Sequence, residues 1–136
     1  MPKREPDCLF CRIVAGEEPA HVVLDEPGCV AFLDARPLFH GHTLLVPRDQ
    51  HETLWDLPEA EVGPLFATAR RLSVAVRDAM GAQGAFVAMN NVVSQSVPHL
   101  HVHVVPRVRK DGLRGFFWPR TKYEDDEQAA AIAARI

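Results

Sequence analysis

The sequence predicts an α+β fold: a five-stranded antiparallel sheet with one long helix packed on a face and a further helix at the C-terminal end. Three observations predict it. Short apolar runs alternate with turns rich in Pro and Gly. One long stretch repeats its apolar residues at helical spacing. The tail is alanine-rich and opens on acidic residues. The 136 residues are 47% hydrophobic and 24% charged, which suits a single compact domain over 1–136 with a core large enough to fold without disulfides.

The first strand is expected at His21–Leu24, and the turn signal Asp25-Glu26-Pro27-Gly28 follows it. Proline presets one turn angle and glycine permits the others. Cys29–Leu33 reads as the second strand, with Cys29 a core residue. Thr43–Val46 reads as the third, opened by Gly41-His42 and stopped by Pro47. Together they suggest an antiparallel meander. From Glu59 to Met80, the residues Val62, Leu65, Phe66, Ala69, Leu72, Val76 and Met80 form one apolar helix face. Asp56 and Glu59 are spaced as a capping box. Pro64 falls inside this pattern, where it either kinks the helix or starts it. Gly81 and Gly84 end it, and strands are expected at Ala85–Met89 and Leu100–Val105. The tail Asp125–Ile136 reads as the terminal helix.

The formal net charge is −3, which argues against a nucleic-acid or anionic-membrane binder. No apolar stretch has the length of a signal peptide or a membrane span, so a cytoplasmic protein is expected. Three cysteines suit a reducing compartment.

The chemistry is concentrated in Gln95-Ser96-Val97-Pro98-His99-Leu100-His101-Val102-His103. On a strand, His99, His101 and His103 share one face, and Leu100, Val102 and Val104 the other. Packing does not need three imidazoles in a row. The outer two Cα atoms of such a row lie roughly 13 Å apart, too far to share one zinc comfortably. Neighbouring pairs still permit a metallohydrolase using His99 and His101. Spacing favours a division of labour: one neutral imidazole attacks phosphorus, a second holds phosphate oxygens, and Ser96 donates to the leaving group.

This segment resembles the signature of the histidine-triad family. The resemblance extends to Ala31-Phe32-Leu33-Asp34, to Gly41-His42-Thr43-Leu44-Leu45-Val46-Pro47 and to the opening Cys8–Glu17, so it covers about Cys8 to Arg107 in order. It implies a hydrolase or transferase that cleaves the bond to the α-phosphate of nucleoside 5′-phosphoramidates or dinucleoside polyphosphates. His101 would be the nucleophile that forms a nucleotidyl-histidine, His103 would hold a phosphate oxygen, and His42 would belong to the hydrogen-bond network orienting His101. Phe32 would line the base pocket and Asp34 would bind the ribose, although as a plain turn residue Asp34 needs no ligand. Asn90, Gln95 and Ser96 would contact the substrate, a purine nucleotide or other nucleoside phosphate. A homodimer through the long helix and a sheet edge is also implied. The alternative is a nucleotide-binding regulator with weak or no catalysis.

Two departures stand out. Ser94 occupies a place where the family usually has glycine. A structural zinc on Cys8, Cys11, His99 and a histidine after the Val-Pro strand end is implied, but the usual middle position holds Gln50 and the histidine comes one place later, at His51. A one-residue shift near a strand end assigns His51 as the ligand. Without the metal, Cys8-x-x-Cys11 also reads as a redox pair or as chance. His21 and His40 are expected at the surface. Phe116, Phe117 and Trp118 are expected to cap the core or close over the substrate. Arg107, Arg109 and Lys110 read as a solvated basic loop or as a guide for anionic substrates.

Overall fold

The computed structural model describes residues 7–113 and 119–136. The expectation for Phe116, Phe117 and Trp118 lies outside the described residues. In chain order the elements are α1 (Leu9–Val14), β1 (Val22–Asp25), β2 (Cys29–Leu33), β3 (Thr43–Pro47), a 3-10 turn (Leu54–Asp56), α2 (Glu59–Ala79), β4 (Gly84–Ala88), β5 (Val102–Arg107) and α3 (Asp126–Arg135). The five strands form one antiparallel sheet in the order β1-β2-β3-β5-β4.

The β1–β2 turn is closed by Glu26 and Cys29, which exchange backbone hydrogen bonds at 2.9 and 3.3 Å around Pro27-Gly28. β2 and β3 pair without a break from Cys29↔Pro47 to Leu33↔Thr43. The chain then crosses over through α2 to the far edge as β4, and β5 returns between β3 and β4.

Alternation along these strands builds two apolar layers. Cys29, Ala31, Leu45, Val102 and Val104 pack with Leu65, Ala69, Leu72 and Val76 of α2. Val30, Phe32, Leu44 and Val46 face the other way and pack with Cys8, Phe10 and Cys11 around α1. At about 25 cal/mol per Å², burying such aliphatic and aromatic side chains is the main stabilising term of the fold. It also fixes which strand face is left for chemistry, the one opposite α2.

Three sequence expectations need correction. Asp56 does not cap α2. Its carboxylate turns back to accept from Thr53 N at 3.0 Å and Thr53 Oγ1 at 2.7 Å, closing the 3-10 turn instead. Pro58 forces Leu57 to an extended ψ of 127° and so separates Asp56 from the helix. Pro64 does not start α2, since the helix runs through it from Glu59. β5 begins at Val102 rather than Leu100, because Leu100 N donates to His51 O at 2.7 Å, outside the sheet ladder. α1 was not anticipated, since six residues are too few to show a period. The terminal helix is present, capped by Asp125 accepting from Gln128 N at 2.8 Å, and it buries none of its residues.

Candidate functional site

His99 and His101, just before β5, and His103 within it have three different partners. His101 is 3% exposed, and its Nδ1 lies 2.8 Å from His99 O. A carbonyl can only accept, so Nδ1 carries the proton and Nε2 keeps the lone pair. His99 is held in the same way, with Nε2 donating to Pro47 O at 2.8 Å. Its Nδ1 lone pair faces Cys8 Sγ at 3.5 Å and Cys11 Sγ at 3.4 Å. The two rings therefore offer opposite nitrogens to different chemistry.

His103 is governed by His42. Leu38 N donates to His42 Nδ1 at 3.0 Å, so a neutral His42 is protonated at Nε2. That N–H points at His103 Nδ1, 3.0 Å away, which leaves the proton of His103 on Nε2. Asp34 Oδ2 lies 3.6 Å from His42 Nε2, beside this pair and beyond hydrogen-bond distance. Burial pushes the pKa of His42 down. Burial, then the neighbouring His101 and His42, pushes His103 down to about 4. Both rings are thus kept neutral at physiological pH, as the directed hydrogen bonds require. His42 serves His103 rather than His101, whose orientation comes from the His99 carbonyl. Asp34, His42 and His103 bring donor atoms within 4.8 Å of one another. A metal on His42 Nε2 would need an imidazolate while Nδ1 accepts from Leu38, so the two rings form a hydrogen-bond relay.

Backbone geometry places His42. Gly41 sits at φ 94°, where an added Cβ would lie 2.6 Å from Met80 Cγ. The loop before it closes through Asp34 N to His42 O at 2.9 Å and His42 N to Phe39 O at 3.0 Å. Asp34 Oδ1 accepts from Arg36 N at 2.9 Å, so this residue is a turn former whose other carboxylate oxygen faces His42.

Cys8, Cys11 and His99 bring their ligand atoms together as a buried group. Cys8 caps α1, its Sγ accepting from Cys11 N at 3.3 Å, and the x-x spacing is one helical turn. His51 does not join them. It turns toward α2, with Nε2 buried and 3.7 Å from Glu61 Oε2. Gln50 stands there instead, Oε1 3.6 Å from Cys11 Sγ. The correction has a physical cause: consecutive side chains of an extended segment point opposite ways, and His51 O is held by Leu100 N.

The remaining candidates are spread around the histidines. Phe32 is 2% exposed and packs edge-on to Phe10, ring centroids 5.3 Å apart. Sequence reasoning missed Phe10, which also lies edge-on to His101 at 5.0 Å. The only signal was its place between the two cysteines. Asn90 Nδ2 donates to Ser94 O at 3.2 Å. Gln95 spends its amide on the protein, accepting from Val92 N at 2.9 Å and donating to Glu52 O at 2.6 Å. Ser96 is exposed. Ser94 adopts φ 63°, the left-handed backbone that glycine takes without cost. Among the basic residues, Arg107 is committed to Asp111 at 2.6 Å. Cys29 is buried beneath α2, and His21 and His40 are exposed.

A model described as the HIT domain matches residues 15–110, more than two thirds of the chain. The chain belongs to the HIT family. Arabidopsis thaliana adenylylsulfatase HINT3 is 33% identical over 109 residues, 79% of this HIT chain and 55% of that relative. The chain thus spans about half the length of that curated relative. A solved HIT-family structure from Bacillus subtilis superposes with a TM-score of 0.80 at 31% identity, covering 96% of this chain and 97% of that one. A zinc-bound histidine-triad protein from Mycobacterium smegmatis gives 0.75 at 33% identity, covering 95% and 94%. The five-stranded antiparallel α+β architecture is therefore the HIT fold. No helix among the described residues is long and apolar enough to cross a membrane.

Proposed function

We propose that this HIT protein is a nucleotidyl hydrolase or transferase acting on nucleoside 5′-phosphoramidates or dinucleoside polyphosphates. The observation that carries this is the tautomer of His101: Nδ1–H is anchored on a carbonyl 2.8 Å away and Nε2 bears the lone pair. Nε2 attacks the α-phosphorus, forming a P–N bond. The bond from phosphorus to the leaving group breaks, and its electron pair departs with that group, which takes a proton through the Ser96 hydroxyl. The His99 carbonyl stabilises the imidazolium that His101 becomes, while His103 Nε2–H donates to a non-bridging phosphate oxygen. Water, or phosphate in a transferase, then attacks phosphorus. The P–N bond breaks, the nucleophile's proton is lost to solvent, and His101 regains its lone pair.

Asp34 binds the ribose hydroxyls through the carboxylate oxygen not used by the turn, and Phe32 with Phe10 walls the nucleoside side. Asn90 and Gln95 shape the phosphate loop through side-chain hydrogen bonds to its backbone. The similarity to an adenylylsulfatase supports an adenylyl group as the transferred unit.

Zinc fits Cys8, Cys11 and His99: two sulfurs face the one imidazole nitrogen left without a proton. When bound, it cross-links α1 to the segment before β5 and supplies rigidity. The chain works as a homodimer. β4 is an edge strand with one pairing partner, and Val87 on it and Phe66 and Val74 on α2 are exposed. Light scattering that shows only monomer at micromolar concentration would remove this part.

The test is release of AMP from adenosine 5′-phosphoramidate, with His101→Ala and His103→Ala in parallel and intact-mass detection of a nucleotidyl group on acid-quenched protein. Wild type should turn over, and His101→Ala should lose both turnover and adduct. Binding of AMP without turnover on either substrate class would leave a nucleotide-binding regulator. Turnover that vanishes at once on chelation, without an adduct, would favour metal hydrolysis.

A further inference from the structure

We infer that Gln50 supplies the fourth donor of the zinc site through its amide oxygen, and that the site therefore exchanges its metal readily. The inference rests on the zinc reading above and deepens it.

A tetrahedral zinc with bonds of about 2.3 Å to sulfur and about 2.1 Å to nitrogen or oxygen places sulfur about 3.6 Å from either neighbour. His99 Nδ1 lies 3.5 Å from Cys8 Sγ and 3.4 Å from Cys11 Sγ. Gln50 Oε1 lies 3.6 Å from Cys11 Sγ. All three separations match those between neighbouring donors of a tetrahedral zinc. The amide orientation is set independently. Gln50 Nε2 donates to Pro98 O at 2.9 Å, and a carbonyl partner requires the NH₂ group there, which turns Oε1 toward the cysteines. His51 is excluded from the position because its ring lies against Glu61.

The donor set is two thiolates, one imidazole and one neutral amide oxygen. Closed structural sites fill all four places with sulfur or nitrogen. An amide oxygen is a weak zinc ligand beside thiolates, and Gln50 lies partly exposed while both cysteines are buried. An incoming water or chelator therefore displaces Gln50 first, and the metal leaves through that opening.

The experiment is zinc affinity of the metal-free chain measured by competition with a chromophoric chelator, paired with the visible spectrum of the cobalt-substituted protein. Neither readout uses activity. Gln50→Ala should weaken zinc about tenfold and speed its transfer to chelator, and Gln50→His should tighten it about tenfold or more. Gln50→His should also shift the cobalt bands, as nitrogen replaces oxygen. His51→Ala should change neither. Circular dichroism of each variant verifies that it folds. Zinc affinity and cobalt spectrum unchanged in Gln50→Ala would overturn the inference while leaving the zinc site itself, as would zinc lost in His51→Ala. Affinity unchanged in Cys8→Ser with Cys11→Ser would instead overturn the zinc reading.

Discussion

Replacing His42 and His103 by alanine, singly and together, tests the relay without needing a substrate. His42→Ala removes a ring that is 3% exposed. It strips the acceptor from Leu38 N–H and the donor from His103 Nδ1, both at 3.0 Å. A buried polar group left without a partner costs about 1–3 kcal/mol, so the variant should lose about 2–4 kcal/mol. His103→Ala orphans only the His42 Nε2–H, and Asp34 Oδ2 at 3.6 Å can close up on it. Its cost should be smaller, about 1–2 kcal/mol. The double variant no longer pays for a broken pair twice, so it should fall short of the sum by about 1 kcal/mol. Urea unfolding at pH 7.5 with metal held constant measures all four species. Costs that add within about 0.3 kcal/mol, or a His103→Ala penalty larger than that of His42→Ala, would refute the relay.

Further expectations concern pH, packing and backbone. His103 titrates near 6.5 when unfolded and about 4 in the fold. Between these values only the unfolded chain takes up the proton, so stability present above pH 6.5 is lost as pH falls toward 4. With the ring partly exposed, the screened loss is about 1–2 kcal/mol, and the wild-type urea midpoint should fall over this range more than that of His103→Gln. Phe10→Ala should cost about 3–5 kcal/mol, since its ring packs against Phe32 and His101; a melting temperature within a degree of wild type would contradict that packing. Val92 holds φ 73° while largely exposed, a left-handed conformation that burdens a β-branched residue by about 1–2 kcal/mol. Val92→Asn should therefore raise the melting temperature, and a lower one would show that the valine is held by packing. Gly41→Ala should lower stability by at least about 1 kcal/mol, through both its positive φ and the contact with Met80, as read by the same melts.

Much of this molecule could be read along the chain. Short apolar runs bounded by turn residues marked β2 and β3, because each strand divides its residues between two buried layers. The long helix showed its apolar stripe despite Pro64. The histidines announced themselves because packing alone has no use for three imidazoles at alternate positions. What stayed hidden depends on partners distant in sequence. α1 is one and a half turns long and owes its place to Cys8 and to burial of Phe10 and Cys11, so no local period signalled it. Asp56 had capping spacing, but the proline at 58 handed it to a different turn.

The sequence by itself singled out the candidate residues, three histidines at alternate positions that packing alone does not call for. Only the tertiary structure decided which nitrogen of each imidazole is free. That choice belongs to Pro47 O, His99 O and Leu38 N, two of them from other segments of the chain. It also decided between Gln50 and His51. Adjacent residues in an extended segment face opposite directions, and the bond from Leu100 N to His51 O sets which of the two meets the cysteines.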